Sequence, residues 1–217
     1  MKPYILPFAL YLVALPLAGW VPGWFAWLYP LVVLVLGSIT WSLSRKLIRP
    51  HWDVWPGIGA GILGIAIWIA LCRLDLEATV KDFLPAFLQP QARLGFDPNI
   101  IDSMTGRWLF ISFRIAGLAL LVPVAEELFW RGFLLRWLIS ADWEKVPPGQ
   151  FSVSSFAGVT LLFTLAHPEW LAAAAYGAIL NVLMYWRRDL WNCIVAHSVS
   201  NLILAIYVLI WHAWELW

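Results

Sequence analysis

Three polar clusters interrupt apolar stretches in the second half of the chain. They are Glu126-Glu127-Leu128-Phe129-Trp130-Arg131, Phe163-Thr164-Leu165-Ala166-His167-Pro168 and His197-Ser198-Val199-Ser200-Asn201. Glu127 and Arg131 are four residues apart, share a helix face and can pair. Glu126 points about 100° away and has no cation at helical spacing, so it is the costlier group to bury and the better functional candidate. His197 and Asn201 are also four apart on one face, with Asn192 and Ser200 adding polarity nearby. Each cluster alone has a plain reading: a solvated helix end, a capping histidine before Pro168, and interhelical hydrogen bonding. Together they offer an unpaired carboxylate, two imidazoles and an amide. A carboxylate can take a proton from water while a histidine orients it. A His/Asn pair can donate to the oxygen of a tetrahedral intermediate. Hydrolysis of a peptide bond fits this set. Ser198 and Ser200 lack the strand-turn-helix context of a nucleophilic serine.

The elements that must position these groups follow from composition. The 217 residues are 62% hydrophobic and only 12% charged, with seventeen tryptophans and a formal net charge of +1. A soluble domain is roughly 25% charged, so an ordinary soluble domain, a disordered tail and a nucleic-acid binder are excluded. The cysteines, Cys72 and Cys193, lie in apolar runs and fit neither a disulfide framework nor a zinc spacing. Apolar runs near 4–20, 24–43, 54–72, 108–139, 151–166, 170–186 and 190–211 predict an all-α polytopic transmembrane helix bundle of about seven spans. The runs are continuous, without the period-two alternation of a barrel. A charge at mid-membrane costs about 2.5–3.5 kcal/mol on insertion scales, so the three clusters must face protein or a wet cavity.

Lys2, the group Arg45, Lys46 and Arg49, and the pair Arg187 and Arg188 fall on one side of a seven-span chain. The positive-inside rule makes that side, and the N-terminus, cytoplasmic, most simply in a plasma (inner) membrane. The mixed-charge segment 73–107 then lies outside, with an apolar piece, Phe83 to Leu88, laid on the membrane surface. The chain reads as one membrane domain, 1–217, with N-terminal spans and outer loop in 1–107 and a motif-bearing core in 108–205. Trp20, Trp24, Trp27, Trp41, Trp52 and Trp55, and Trp211, Trp214 and Trp217, read as interfacial belts. His51 and His212 read as interfacial, and Asp189 beside Arg187 and Arg188 as a plain turn. Arg114, inside the fourth span, either snorkels outward or neutralises a substrate carboxylate. With straight spans His167 falls toward the outer end while His197 sits about 10 Å from the inner edge. They meet only if helices tilt or end mid-membrane.

The order E-E-x-x-x-R, F-x-x-x-H, H-x-x-x-N, each on its own span, resembles the CPBP family of intramembrane proteases. That family includes type II CAAX prenyl endopeptidases, bacteriocin-processing and abortive-infection proteins. The resemblance covers roughly residues 108–205 and extends to Gly132 after the arginine. It implies Glu126 as the base that activates water, His167 as a holder of that water, and His197 with Asn201 as the oxyanion hole. Glu127 and Arg131 would pair to hold the helix, and Phe163 would pack beneath the site. The family has been described both as metalloproteases and as glutamate-dependent, metal-free enzymes. Glu126, His167 and His197 could supply three zinc ligands. However, H-E-x-x-H is absent and no carboxylate partner for either histidine is evident, which favours chemistry without a cofactor. The implied partners are the lipid bilayer and a membrane-bound peptide or lipidated protein substrate. A prenylated substrate is one option, since nothing in the sequence reads the lipid. Two other readings compete: a non-catalytic immunity or assembly factor on the same fold, and a proton-coupled transporter, against which the absence of repeated halves argues.

Overall fold

The computed structural model describes residues 1–19, 24–77, 85, 89 and 95–217. The turn 21–23, Trp20, Lys81, Asp82, Arg93 and nearly all of the segment Phe83 to Leu88 lie outside the described residues. Among the described residues the architecture is all helical: α1 Lys2–Gly19, α2 Phe25–Ser44, α3 Trp55–Leu74, α4 Met104–Trp137, α5 Val153–Leu165, α6 Trp170–Arg187 and α7 Leu190–Trp211. Each expected span has its helix. Among the described residues, α2, α3, α4 and α7 are both long and apolar enough to cross a membrane. With its exposed leucines and tryptophans, such as Leu31, Leu34, Leu63 and Trp186, this is an integral membrane bundle.

The expectation of seven full spans is corrected at α5. Its 13 residues rise only about 20 Å, short of the ~30 Å of a hydrocarbon core. Ser152 starts it, accepting from the backbone N–H of Ser155, and Pro168 stops it. His167 lies in the α5–α6 turn and is half-buried. The helix α4 is longer than expected, beginning at Met104 because the Ser103 hydroxyl accepts from the N–H of Gly106. Arg107, expected in the outer loop, is thus helical.

Close packing centres on α3 against α7 and α6. A Cβ at Gly57 would lie 2.6 Å from the Asn192 carbonyl oxygen, and one at Gly61 2.5 Å from that of Ala196. A methyl at Gly64 would run into the Tyr176 ring. These small residues let the backbones touch, as membrane helices commonly do. At the end of the bundle that holds residues 45–54, Asp189 is more than the plain turn expected of it. It accepts from the N–H groups of Trp191 and Asn192, from Asn192 Nδ2 and from His51 Nε2 (2.9 Å). Burial pushes its carboxyl up, but the bonds from Asn192, His51 and Trp191 outweigh that and hold it below the ordinary aspartate range. Asn192 also donates to the Asp53 carbonyl, and Arg187 pairs with Asp53. Asn192 therefore ties α7 to the 45–54 loop and belongs to no catalytic set.

Candidate active site

The helix α4 carries the acidic pair in its middle, not at a solvated end. Glu126 is 6% exposed, and Glu127 and Arg131 are fully buried. Arg131 donates to Glu127 Oε1 (3.1 Å), to Asn181 Oδ1 (3.1 Å) and to the Gly177 carbonyl (3.0 Å). The expected i,i+4 pair is present, and its cation is also stitched to α6. Glu127 does more than the sequence indicates. The same Oε1 lies 2.8 Å from Nδ1 of His197 on α7. A carboxylate already accepting from Arg131 can only accept again, so His197 donates Nδ1–H and presents Nε2 on its other side. This corrects the view that neither histidine has a carboxylate partner.

His167 is held differently. Its Nδ1 lies 2.8 Å from the Phe163 carbonyl one turn back, so that nitrogen carries the proton and Nε2 is the ring's lone-pair nitrogen. The Phe163 ring lies against His167 (centroids 4.4 Å) and under the Arg131 guanidinium (5.0 Å). Phe163 thus packs beneath the site from both sides. Asn201 donates from Nδ2 to the Leu118 carbonyl of α4 (2.8 Å). That carbonyl needs a donor for a local reason. Residues Gly117–Leu121 wind as a π-helical turn, with the Val122 N–H on the Gly117 carbonyl. In that register the partner of Leu118 is residue 123, a proline without an N–H. One N–H of the Asn201 amide remains for other work.

Glu126, His167, His197 and Asn201 all line one cavity of about 590 Å³, walled by Trp68, Tyr176 and Val122 among others. One carboxyl oxygen of Glu126 is buried and meets no protein donor. Arg114 also faces this cavity rather than snorkelling outward. Three residues went unmarked in the sequence. Asn181 anchors Arg131 and donates to Thr160 (3.1 Å). Tyr176 bonds Ser200 and meets the His197 ring edge-on. Leu118 contributes only backbone. An amide and a phenol within α6 were the available signals; Leu118 gave none. Among the described residues, no three His, Cys, Asp or Glu side chains are grouped to hold a metal ion. Glu126, His167 and His197 are thus not grouped as a three-ligand zinc set in this structure.

The motif-bearing helices α4 to α7 therefore enclose a buried acid, imidazoles and an amide around one cavity, in the order read from sequence. Residues 108–203 match the family described as type II CAAX prenyl endopeptidase Rce1-like. The match covers somewhat less than half of the chain. The Rce1-like segment begins within α4 and ends within α7, so it contains every residue that the three clusters singled out. No curated protein and no solved structure matches the chain.

Proposed function

We propose that this Rce1-like protein is an intramembrane endopeptidase that hydrolyses a peptide bond with a water activated by Glu126. The observation that supports it best is the meeting of Glu126, His167, His197 and Asn201, from two helices and a turn, on one cavity. Glu126 takes a proton from water as the water oxygen bonds to the scissile carbonyl carbon. The lone pair on His167 Nε2 accepts a hydrogen bond from the water's other O–H, which stays bonded to the oxygen, and so sets the water's direction. The carbonyl oxygen becomes an oxyanion facing His197 and Asn201. Asn201 donates its second N–H to that oxyanion, and His197, held through Nδ1–H on Glu127, turns its Nε2 edge toward it. The tetrahedral carbon then expels the amine, which receives its proton from Glu126, restoring the carboxylate. Burial suits this chemistry because fixed dipoles act more strongly away from bulk water.

Substrate and sidedness belong to the same proposal. The family implies a membrane-associated substrate, a prenylated C-terminal segment being the type. The basic groups Arg45 to Arg49 and Arg187 to Arg188 share the end of the bundle fastened by Asp53 and Asp189, which the positive-inside rule makes cytoplasmic in a plasma membrane.

The test is cleavage of a membrane-anchored peptide by the purified protein in lipid, followed by mass spectrometry. Glu126→Gln abolishes cleavage with unchanged insertion and melting, and a strong chelator leaves the wild type active. Retained cleavage by Glu126→Gln sinks the mechanism. Inhibition by chelator that zinc reverses returns the site to metal chemistry.

A further inference from the structure

Four residues of α4 line the cavity at a spacing of four: Arg114, Leu118, Val122 and Glu126. A straight α-helix advances about 100° per residue, so each step of four drifts by about 40° and three steps by about 120°. The π-helical turn Gly117–Leu121 absorbs one extra residue and takes back about 100°. It thereby returns Arg114 to the face that carries Glu126. One cavity has an anionic pole and, farther along the same stripe, a cationic one.

Arg114 is built to hold an anion that the chain does not supply. No carboxylate pairs with it among the described residues, and its Nε is buried without a hydrogen-bond partner. Its guanidinium lies against the rings of Tyr29 (4.9 Å) and Trp217 (5.8 Å). A guanidinium stacked on rings keeps its N–H edge for an acceptor in its own plane, and a carboxylate matches that fork. The other walls near it, including Leu118, Leu204 and Phe25, are apolar and would accept side chains but not a charge.

We infer that Arg114 binds the terminal carboxylate of the peptide whose scissile bond lies at Glu126. This rests on the protease reading. Twelve residues separate Arg114 from Glu126, or about 18 Å along the helix. An extended chain covers about 3.3 Å per residue. After the reach of the two side chains is subtracted, about three to five residues fit between the poles.

The test is a binding measurement with full-chain Glu126→Gln protein in detergent micelles. The probes are fluorescein-labelled S-farnesyl-Cys-Val-Ile-Leu as the free acid and as the amide, read by anisotropy. The acid is expected to bind roughly ten- to a hundred-fold tighter. Arg114→Gln brings the ratio close to one, and Arg114→Lys, which keeps the charge but loses the fork, leaves part of it. Size exclusion and melting establish that the variants are folded. If Arg114→Gln does not fold, the acid/amide ratio and the Arg114→Lys decrease decide. The proposal is overturned by equal binding of acid and amide, including no binding of either. A ratio unchanged in a folded Arg114 variant overturns it too. Displacement of the acid by dodecyl phosphate as readily as by N-dodecanoyl-leucine overturns it as well, assigning the pole to a lipid headgroup. Wild-type cleavage is scored separately. Cleavage without acid/amide discrimination removes the role of Arg114 and leaves the protease; discrimination without cleavage does the reverse.

Discussion

Replacing Arg131 by methionine tests whether the buried polar chain is one network. The side chain is fully buried and satisfies three acceptors on two helices. Methionine fills similar space but strands Glu127, which keeps only His197 as a donor. Removing one partner of a buried ion pair costs about 3–5 kcal/mol. The Gly177 carbonyl and Asn181 Oδ1 also lose their donor, at roughly 0.6–1.7 kcal/mol each inside a membrane bundle. The expected loss is therefore about 4–8 kcal/mol, most of it from the uncompensated carboxylate. That attribution has a consequence for the double variant. Glu127→Gln in the Arg131→Met background removes the stranded charge and should recover about 2–3 kcal/mol. Unfolding of the purified chain by SDS titration in mixed micelles, followed by circular dichroism, measures both. An Arg131→Met protein within about 1 kcal/mol of wild type would refute the network. So would a double variant whose losses simply add.

Three further outcomes follow from other contacts. Asp189 sits below the ordinary aspartate value of 3.8, so its stabilising effect is full above that value and fades as pH falls toward the depressed one. The melting difference between wild type and Asp189→Asn should therefore shrink as pH is lowered from 6 to 3 (about the range of aspartate titration), and a constant difference counts against it. Gly61→Leu drives a side chain into the Ala196 carbonyl next to His197; it should lower the melting temperature and abolish cleavage, whereas a wild-type melt would show that α3 and α7 do not touch there. Asn201→Ala orphans the Leu118 carbonyl and should cost about 1 kcal/mol; adding Pro123→Ala supplies an N–H and should restore stability but not cleavage, as read by SDS titration and mass spectrometry.

The sequence exposed the candidate site well because a charge inside an apolar run is costly and therefore conspicuous. Glu126, Glu127, Arg131, His167, His197 and Asn201 all stand out for that reason, whereas the 14 residues between Ser152 and the His-Pro break read as a span although the helix they form is short. What stayed hidden has one physical character. The Glu127–His197 bond joins residues seventy apart, and no local spacing encodes it. Arg114 and Glu126 fall on different faces if α4 is drawn as a straight helix, which is why the sequence favours outward snorkelling. Asp189 looked like a turn because its partners His51 and Asn192 come from two different elements.

Pro123 shows how a local anomaly becomes a positioning device. A proline within a helix removes one backbone donor and crowds the preceding turn. In α4 the chain answers with a π-helical turn, which changes the helical phase upstream of the proline and leaves the Leu118 carbonyl without a backbone partner. The phase change brings Arg114 round to the cavity. The orphaned carbonyl draws the Asn201 amide to α4, and because His197 and Asn201 are one turn apart, it fixes the rotation of α7. Glu127 makes the second attachment between the same two helices through His197. With two bonds one turn apart, α7 can neither roll nor slide against α4 without breaking one of them. The proline that sequence rules mark as a helix breaker thus helps to hold Glu126, His197 and Asn201 in register.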